Sequence, residues 1–156
     1  MYEVSERVLM EQPTAVMRHR LDVAHIGAWI GPAFARVQQA ICAAGLWPDG
    51  MPFARYLTVA GTAGTFDVEA GFPVATPLPE GAAIDVQPSR LPGGLAAVTL
   101  HVGPYDAMVP AYEALAKWIA DRGGTPDGAP WECYLSEPWG DPSTWRTEVI
   151  QPYRIG

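Results

Sequence analysis

Charge is scarce in this sequence. Only 17% of the residues are charged, and 10 Lys and Arg stand against 17 Asp and Glu, a formal net charge of −7. A nucleic-acid surface needs clustered basic side chains, so no direct nucleic-acid contact is expected. Neutral or cationic partners are compatible with this balance. Cysteine is scarce too. Cys42 falls in a helical pattern and Cys133 in a strand pattern, which predicts two buried thiols and no disulfide. No spacing of metal ligands is present, and no cofactor is expected. The N-terminus lacks the basic and then apolar layout of a signal peptide. Residues 26–48 carry one charge, Arg36, but Pro32, Gln38 and Gln39 interrupt the run, so a core-facing helix is expected and not a membrane span. Together these absences predict a cytoplasmic protein.

What is present is enough apolar material for a core. Hydrophobic residues make up 49% of 156, which suits one globular domain. Alternating apolar positions predict strands over Tyr2–Met10 and Thr14–His25, the second running into a turn at Gly27. Ile30, Phe34, Val37 and Ile41 recur at helical spacing and predict a helix over Gly31–Ala44, with Pro32 in its first turn and Gly45 as its cap. Strands are expected at Phe53–Val59 and Thr65–Val74. A further strand is expected at Ala82–Gln87, then a turn over Pro88–Gly94 and a strand over Leu95–Val102. A second helix, capped by Asp106, carries the stripe Met108, Tyr112, Leu115 and Ile119 and stops at Gly123-Gly124. Strands at Trp131–Ser136 and Trp145–Tyr153 complete the chain.

Slid against itself by 78 residues, the chain matches. Pro32 meets Pro110, Ile41 meets Ile119, and Gly45 meets Gly123. Pro48-Asp49-Gly50 falls on Pro126-Asp127-Gly128, and Tyr56-Leu57 on Tyr134-Leu135. The helical stripes coincide, and with one further residue of offset Glu69 meets Glu148. A cap, a turn and a strand in the same order are poorly explained by chance. The pattern predicts an α+β fold: a tandem βαββ duplication over about 1–78 and 79–156, with a mostly antiparallel sheet, two helices on one face and a cleft between the repeats.

The runs HVGPYDAMVPAYEALAKWIADRG, WECYL, TEVIQPY and, at Phe66–Val74, FDVEAGFPV resemble the GyrI-like (gyrase-inhibitor-like) effector-binding domain. The resemblance covers nearly the whole chain. It implies the tandem βαββ fold with a cleft. It also implies binding of hydrophobic, often cationic or aromatic compounds, in transcription regulators of the AraC and MerR types or in free-standing proteins. Some members sequester toxic molecules or antagonise a protein target, and a few relatives are similar to hydrolases that open strained cyclopropane rings. The two repeats use up this chain, so a stand-alone member without a helix-turn-helix is expected, and any regulatory role needs a partner. The first turn, Ile26-Gly27-Ala28-Trp29, lacks the Gly-Pro-Tyr of the second.

The repeats differ most at one strand. Phe53-Ala54-Arg55-Tyr56 corresponds to Trp131-Glu132-Cys133-Tyr134, so Glu132 replaces Ala54. Residues i and i+2 share a strand face, so Glu132 and Tyr134 point together, away from Trp131 and Cys133. A carboxylate among apolar residues needs a partner. It is expected to serve as counter-charge for a cationic ligand between aromatic walls, as the resemblance implies, to pair with Arg55, Arg146 or Arg18 across strands, or simply to face water. Candidate wall residues are Tyr134, Tyr112, Tyr105, Met108, Trp145, Tyr56 and Phe34, with Phe34 read first as core and Tyr112 equally readable as core. Trp139, in a Gly/Pro loop, is a candidate lid. His25 and His101 end equivalent strands and are read as structural. The functional expectation is a binder of a small hydrophobic ligand in sensing or sequestration. The alternatives are a hydrolase of strained electrophiles using Glu132 and Tyr134, and a protein-interaction antagonist. No activated nucleophile is evident, Cys133 included.

Overall fold

The computed structural model describes residues 2–59, 61, 63–137 and 139–156. The chain forms two compact units, one made of residues 1–10 and 93–156 and the other of residues 11–92. In the second unit, β2 (Gln12–Asp22) leads into α1 (Val23–Ala43), followed by β3 (Phe53–Thr58), β4 (Thr65–Pro73) and β5 (Gln87–Leu91). Its neighbour order is β5-β2-β4-β3, with each pairing antiparallel. In the first unit, β1 (Val4–Leu9) is joined by β6 (Gly94–Val102), α2 (Val109–Asp121), β7 (Gly124–Pro126), β8 (Trp131–Tyr134) and β9 (Arg146–Ile155). Its order is β1-β6-β9-β8, again antiparallel, with the short β7 also on β9. The fold class is α+β, a mostly antiparallel sheet with two helices. No helix among the described residues is long and apolar enough to cross a membrane.

Each helix buries one stripe on the sheet of its own unit. Ala33, Val37, Ala40 and Ile41 of α1 are buried, and this helix packs with Ala15, Phe72, Val74, Leu78 and Val86. Small Ala side chains on that stripe let the helix lie close to the strands. Ala111, Leu115 and Ile119 of α2 pack with Met108, Ala97, Val149 and Tyr153. Gly45, at φ +77°, ends α1 as expected. Its N–H bonds to the Cys42 carbonyl, and the N–H of Leu46 reaches back to Ile41, a Schellman closure. Gly71 on β4 is required for a different reason. A Cβ there would stand 1.9 Å from the Ala15 carbonyl oxygen of β2.

Several local expectations are corrected. α1 starts at Val23, not Gly31, so Gly27 makes no turn and Pro32 lies inside the helix. The extra turns are largely exposed and lack the apolar stripe that would have revealed them. His25 accordingly sits exposed in the first turn of α1 and is no counterpart of His101. Asp106 does not cap α2. It belongs to a short 3-10 turn, Tyr105–Ala107, and the N-cap position is Met108, without a side-chain bond. Pro110, however, occupies the first turn of α2, where its missing N–H is harmless. Residues 82–86 are not a strand, and the strand expected there is displaced to β5, which includes Pro88. β5 pairs with β2 along one side, and an edge position tolerates proline. Cys42 is exposed, not buried, and both cysteines are free.

Candidate functional site

The site is built on β8, β9, α2 and the turn before α2, all in the first unit. β8 is four residues long and pairs with β9, Glu132 lying opposite Val149 and Tyr134 opposite Thr147. β6 lies on the other side of β9, with Thr99 opposite Val149 and His101 opposite Thr147. Val149 belongs to the α2 core cluster, so the rows Thr99–Val149–Glu132 and His101–Thr147–Tyr134 both face α2.

Glu132 is buried at 8% exposure. Tyr134 donates its hydroxyl to Oε1 at 2.8 Å, as the shared strand face required. Tyr112, from the stripe of α2, donates to Oε2. Each oxygen thus accepts a phenol, which offsets part of the cost of burying a carboxylate. Tyr105 meets Tyr134 edge-on at 5.5 Å between centroids and lies on Trp145 at 4.9 Å. Burial, and then the negative charge of Glu132, hold the Tyr105 phenol above its ordinary range. The four rings Tyr105, Tyr112, Tyr134 and Trp145 and the carboxylate form one connected group.

The framework around these rings is tied by backbone and histidine bonds. Gly103 N–H donates to the Trp145 carbonyl at 2.8 Å, joining the turn under Tyr105 to the start of β9. His101, at 2% exposure, has Nε2 2.9 Å from the Pro104 carbonyl and Nδ1 2.7 Å from the Tyr2 hydroxyl. A carbonyl only accepts, so Nε2 carries a proton and, in the neutral ring, Nδ1 accepts from Tyr2. The structural reading of His101 agrees with this geometry. Tyr2 is a participant that the sequence did not suggest, because nothing local links it to a histidine 99 residues away.

Other candidates lie elsewhere. Met108 is buried in the α2 core cluster. The Trp139 indole is 68% exposed, and the contribution of this residue is its carbonyl, which accepts from Trp145 Nε1 at 3.0 Å. Tyr56 and Phe34 belong to the second unit, Tyr56 edge-on to Phe66 and Phe34 edge-on to Phe72 in the α1 core. Cys133 points to the face away from α2. Burial, with Glu148 next, pushes its thiol up to about 12, which leaves it protonated and unreactive at neutral pH.

The sequence matches the model of the GyrI-like small molecule binding domain over residues 2–154. The chain belongs to this family. No functionally curated protein matches it. Among solved structures, this GyrI-like domain is similar to the EcmrR C-terminal domain, at 24% identity and a TM-score of 0.83 over 100% of this chain and 99% of that one. It also resembles EcmrR in a complex with DNA, at 24% identity and a TM-score of 0.84 over 99% of this chain. There it spans 58% of the other chain's length. SAV2435 bound to tetraphenylphosphonium is similar at 13% identity and a TM-score of 0.65, over 97% of this chain and 94% of that one. At these identities the likeness concerns the fold.

Proposed function

We propose that this GyrI-like domain binds hydrophobic aromatic cations against Glu132, within the rings of Tyr105, Tyr112, Tyr134 and Trp145, and that it serves in sensing or sequestration of such compounds. The observation that carries this reading is the buried carboxylate whose oxygens are held by two phenols. Phenols fix the carboxylate in place, so a delocalised cation beside it gains both from the carboxylate and from the ring faces. Each cation–π contact is worth about 0.5–2 kcal/mol according to its desolvation. A delocalised cation also sheds its water more cheaply than an ammonium does, which suits contact with ring faces. The bound phosphonium of SAV2435 is a ligand of this class, in a chain of the same fold.

The test uses two probes of one shape and opposite charge. Tetraphenylphosphonium is expected to quench the tryptophan fluorescence saturably, and tetraphenylborate is expected to bind at least about tenfold more weakly, a difference of about 1.4 kcal/mol. Equal affinity for the two ions removes the counter-charge from the account. Chromatography of a cyclopropane-bearing aromatic compound after long incubation separates binding from turnover. Its recovery unchanged is the expected result.

A further inference from the structure

One buried polar group in the first unit takes no part in the network described above. Thr147 is fully buried, at 0% exposure, and among the described residues its Oγ1 has no hydrogen-bond partner. It stands on β9 directly between Tyr134 of β8 and His101 of β6. It is one side-chain row from Glu132, about 7 Å along the strand. The other polar side chains of these rows are satisfied. Thr99 Oγ1 donates to the Glu3 carbonyl at 2.8 Å, His101 uses both ring nitrogens, and Tyr134 donates to Glu132. A hydroxyl left without a partner in such a place costs about 1–3 kcal/mol, and valine would fill the same space without that cost.

We infer that Thr147 is a further ligand-binding residue, and that its hydroxyl selects aromatic cations that carry a hydrogen-bonding group, such as a hydroxyl or amine, at their edge. This inference rests on the Glu132 reading above and adds to it a polar contact one row away. The carboxylate takes the charge, and Thr147 takes the polar edge. A hydroxyl can donate or accept, so either kind of ligand group is served. Reaching it requires one ring to move, and Tyr105 is the ring suited to that. It is 38% exposed and stands on a 3-10 turn without a side-chain cap. It leans on Tyr134, the neighbour of Thr147 in the row.

A second threonine supplies the control. Thr14 of β2, in the other unit, is 1% exposed, and its Oγ1 also has no partner among the described residues. It is opposite Pro73 of β4 and Ser89 of β5. Its hydroxyl carries the same cost and is assigned no part in binding.

The experiment measures affinity for tetraphenylphosphonium and for (4-hydroxyphenyl)triphenylphosphonium by tryptophan quenching. Wild type is expected to prefer the hydroxylated ion about fivefold, the worth of one net hydrogen bond. Thr147→Val should abolish that preference, leave tetraphenylphosphonium within about twofold and raise the melting temperature. Thr147→Ser should keep the preference, and Thr14→Val should keep it while also raising the melting temperature. No preference in wild type, or a preference that survives Thr147→Val, overturns the inference while leaving the Glu132 reading intact. Binding of neither ion to wild type removes the Glu132 reading, and this inference falls with it.

Discussion

Each unit buries one carboxylate in its sheet, but in opposite company. In the second unit Glu69, 6% exposed, lies on β4 in register with Arg18 on one side and Arg55 on the other. Arg18 comes within 3.7 Å of it, and the Ser89 hydroxyl donates at 3.3 Å. In the first unit Glu132 accepts from the phenols of Tyr112 and Tyr134. Guanidinium partners supply charge of the opposite sign as well as hydrogen bonds, whereas phenols supply hydrogen bonds alone. On the function proposed above, two carboxylates of similar burial serve different ends: Glu69 holds strands together, and Glu132, held by phenols, meets a cationic ligand.

The strand after each helix sharpens this contrast. Ala54 of β3 is fully buried and faces α1 through its pairing with Ala70, whereas Glu132 of β8 faces α2. The largest effect is expected from forcing the second unit to imitate the first. Ala54→Glu puts a carboxylate at a site packed for a methyl group, and the phenol that Tyr112 supplies is missing there, because Phe34 stands at its helical position. Loss of about 3–5 kcal/mol in urea unfolding is expected. A loss below about 1 kcal/mol would mean that either unit can house the carboxylate.

A smaller effect is expected from removing the phenols singly. Tyr112→Phe and Tyr134→Phe each remove one phenol from a carboxylate oxygen of Glu132 while keeping the ring. Each should cost about 1.5–3 kcal/mol of stability, the range for a hydrogen bond to a charged group. Their effects should be non-additive, because both act on one carboxylate. If both substitutions are neutral in thermal melts, the phenols do not hold Glu132, and the contrast with Glu69 disappears.

Much of this was legible in the sequence. The stripe Leu115–Ile119, the cap at Gly45 and the alternation along β8 are local signals, and local physics preserved them. The pairing of Glu132 with Tyr134 followed from the period of a strand. The start of α1 was not legible, because its first turns are exposed and hold two glycines and a proline, residues that punctuate chains more often than they continue helices. β5 was misplaced because Pro88 and the Pro-Gly run beside it read as a turn unless the edge position is known. Within the site, the bond from Tyr2 to His101 and the position of Thr147 between Tyr134 and His101 depend on strand register across distant segments. No spacing in the sequence encodes that register.

The central claim is that Glu132 is a counter-charge and Glu69 a structural ion partner. Titration of tetraphenylphosphonium into folded Glu132→Gln and Glu69→Gln proteins, followed by tryptophan fluorescence, tests it directly. Glu132→Gln is expected to weaken binding at least about tenfold, or about 1.4 kcal/mol, with Glu69→Gln within about twofold of wild type. Unaltered affinity in Glu132→Gln, or an equal loss in both variants, would contradict the account.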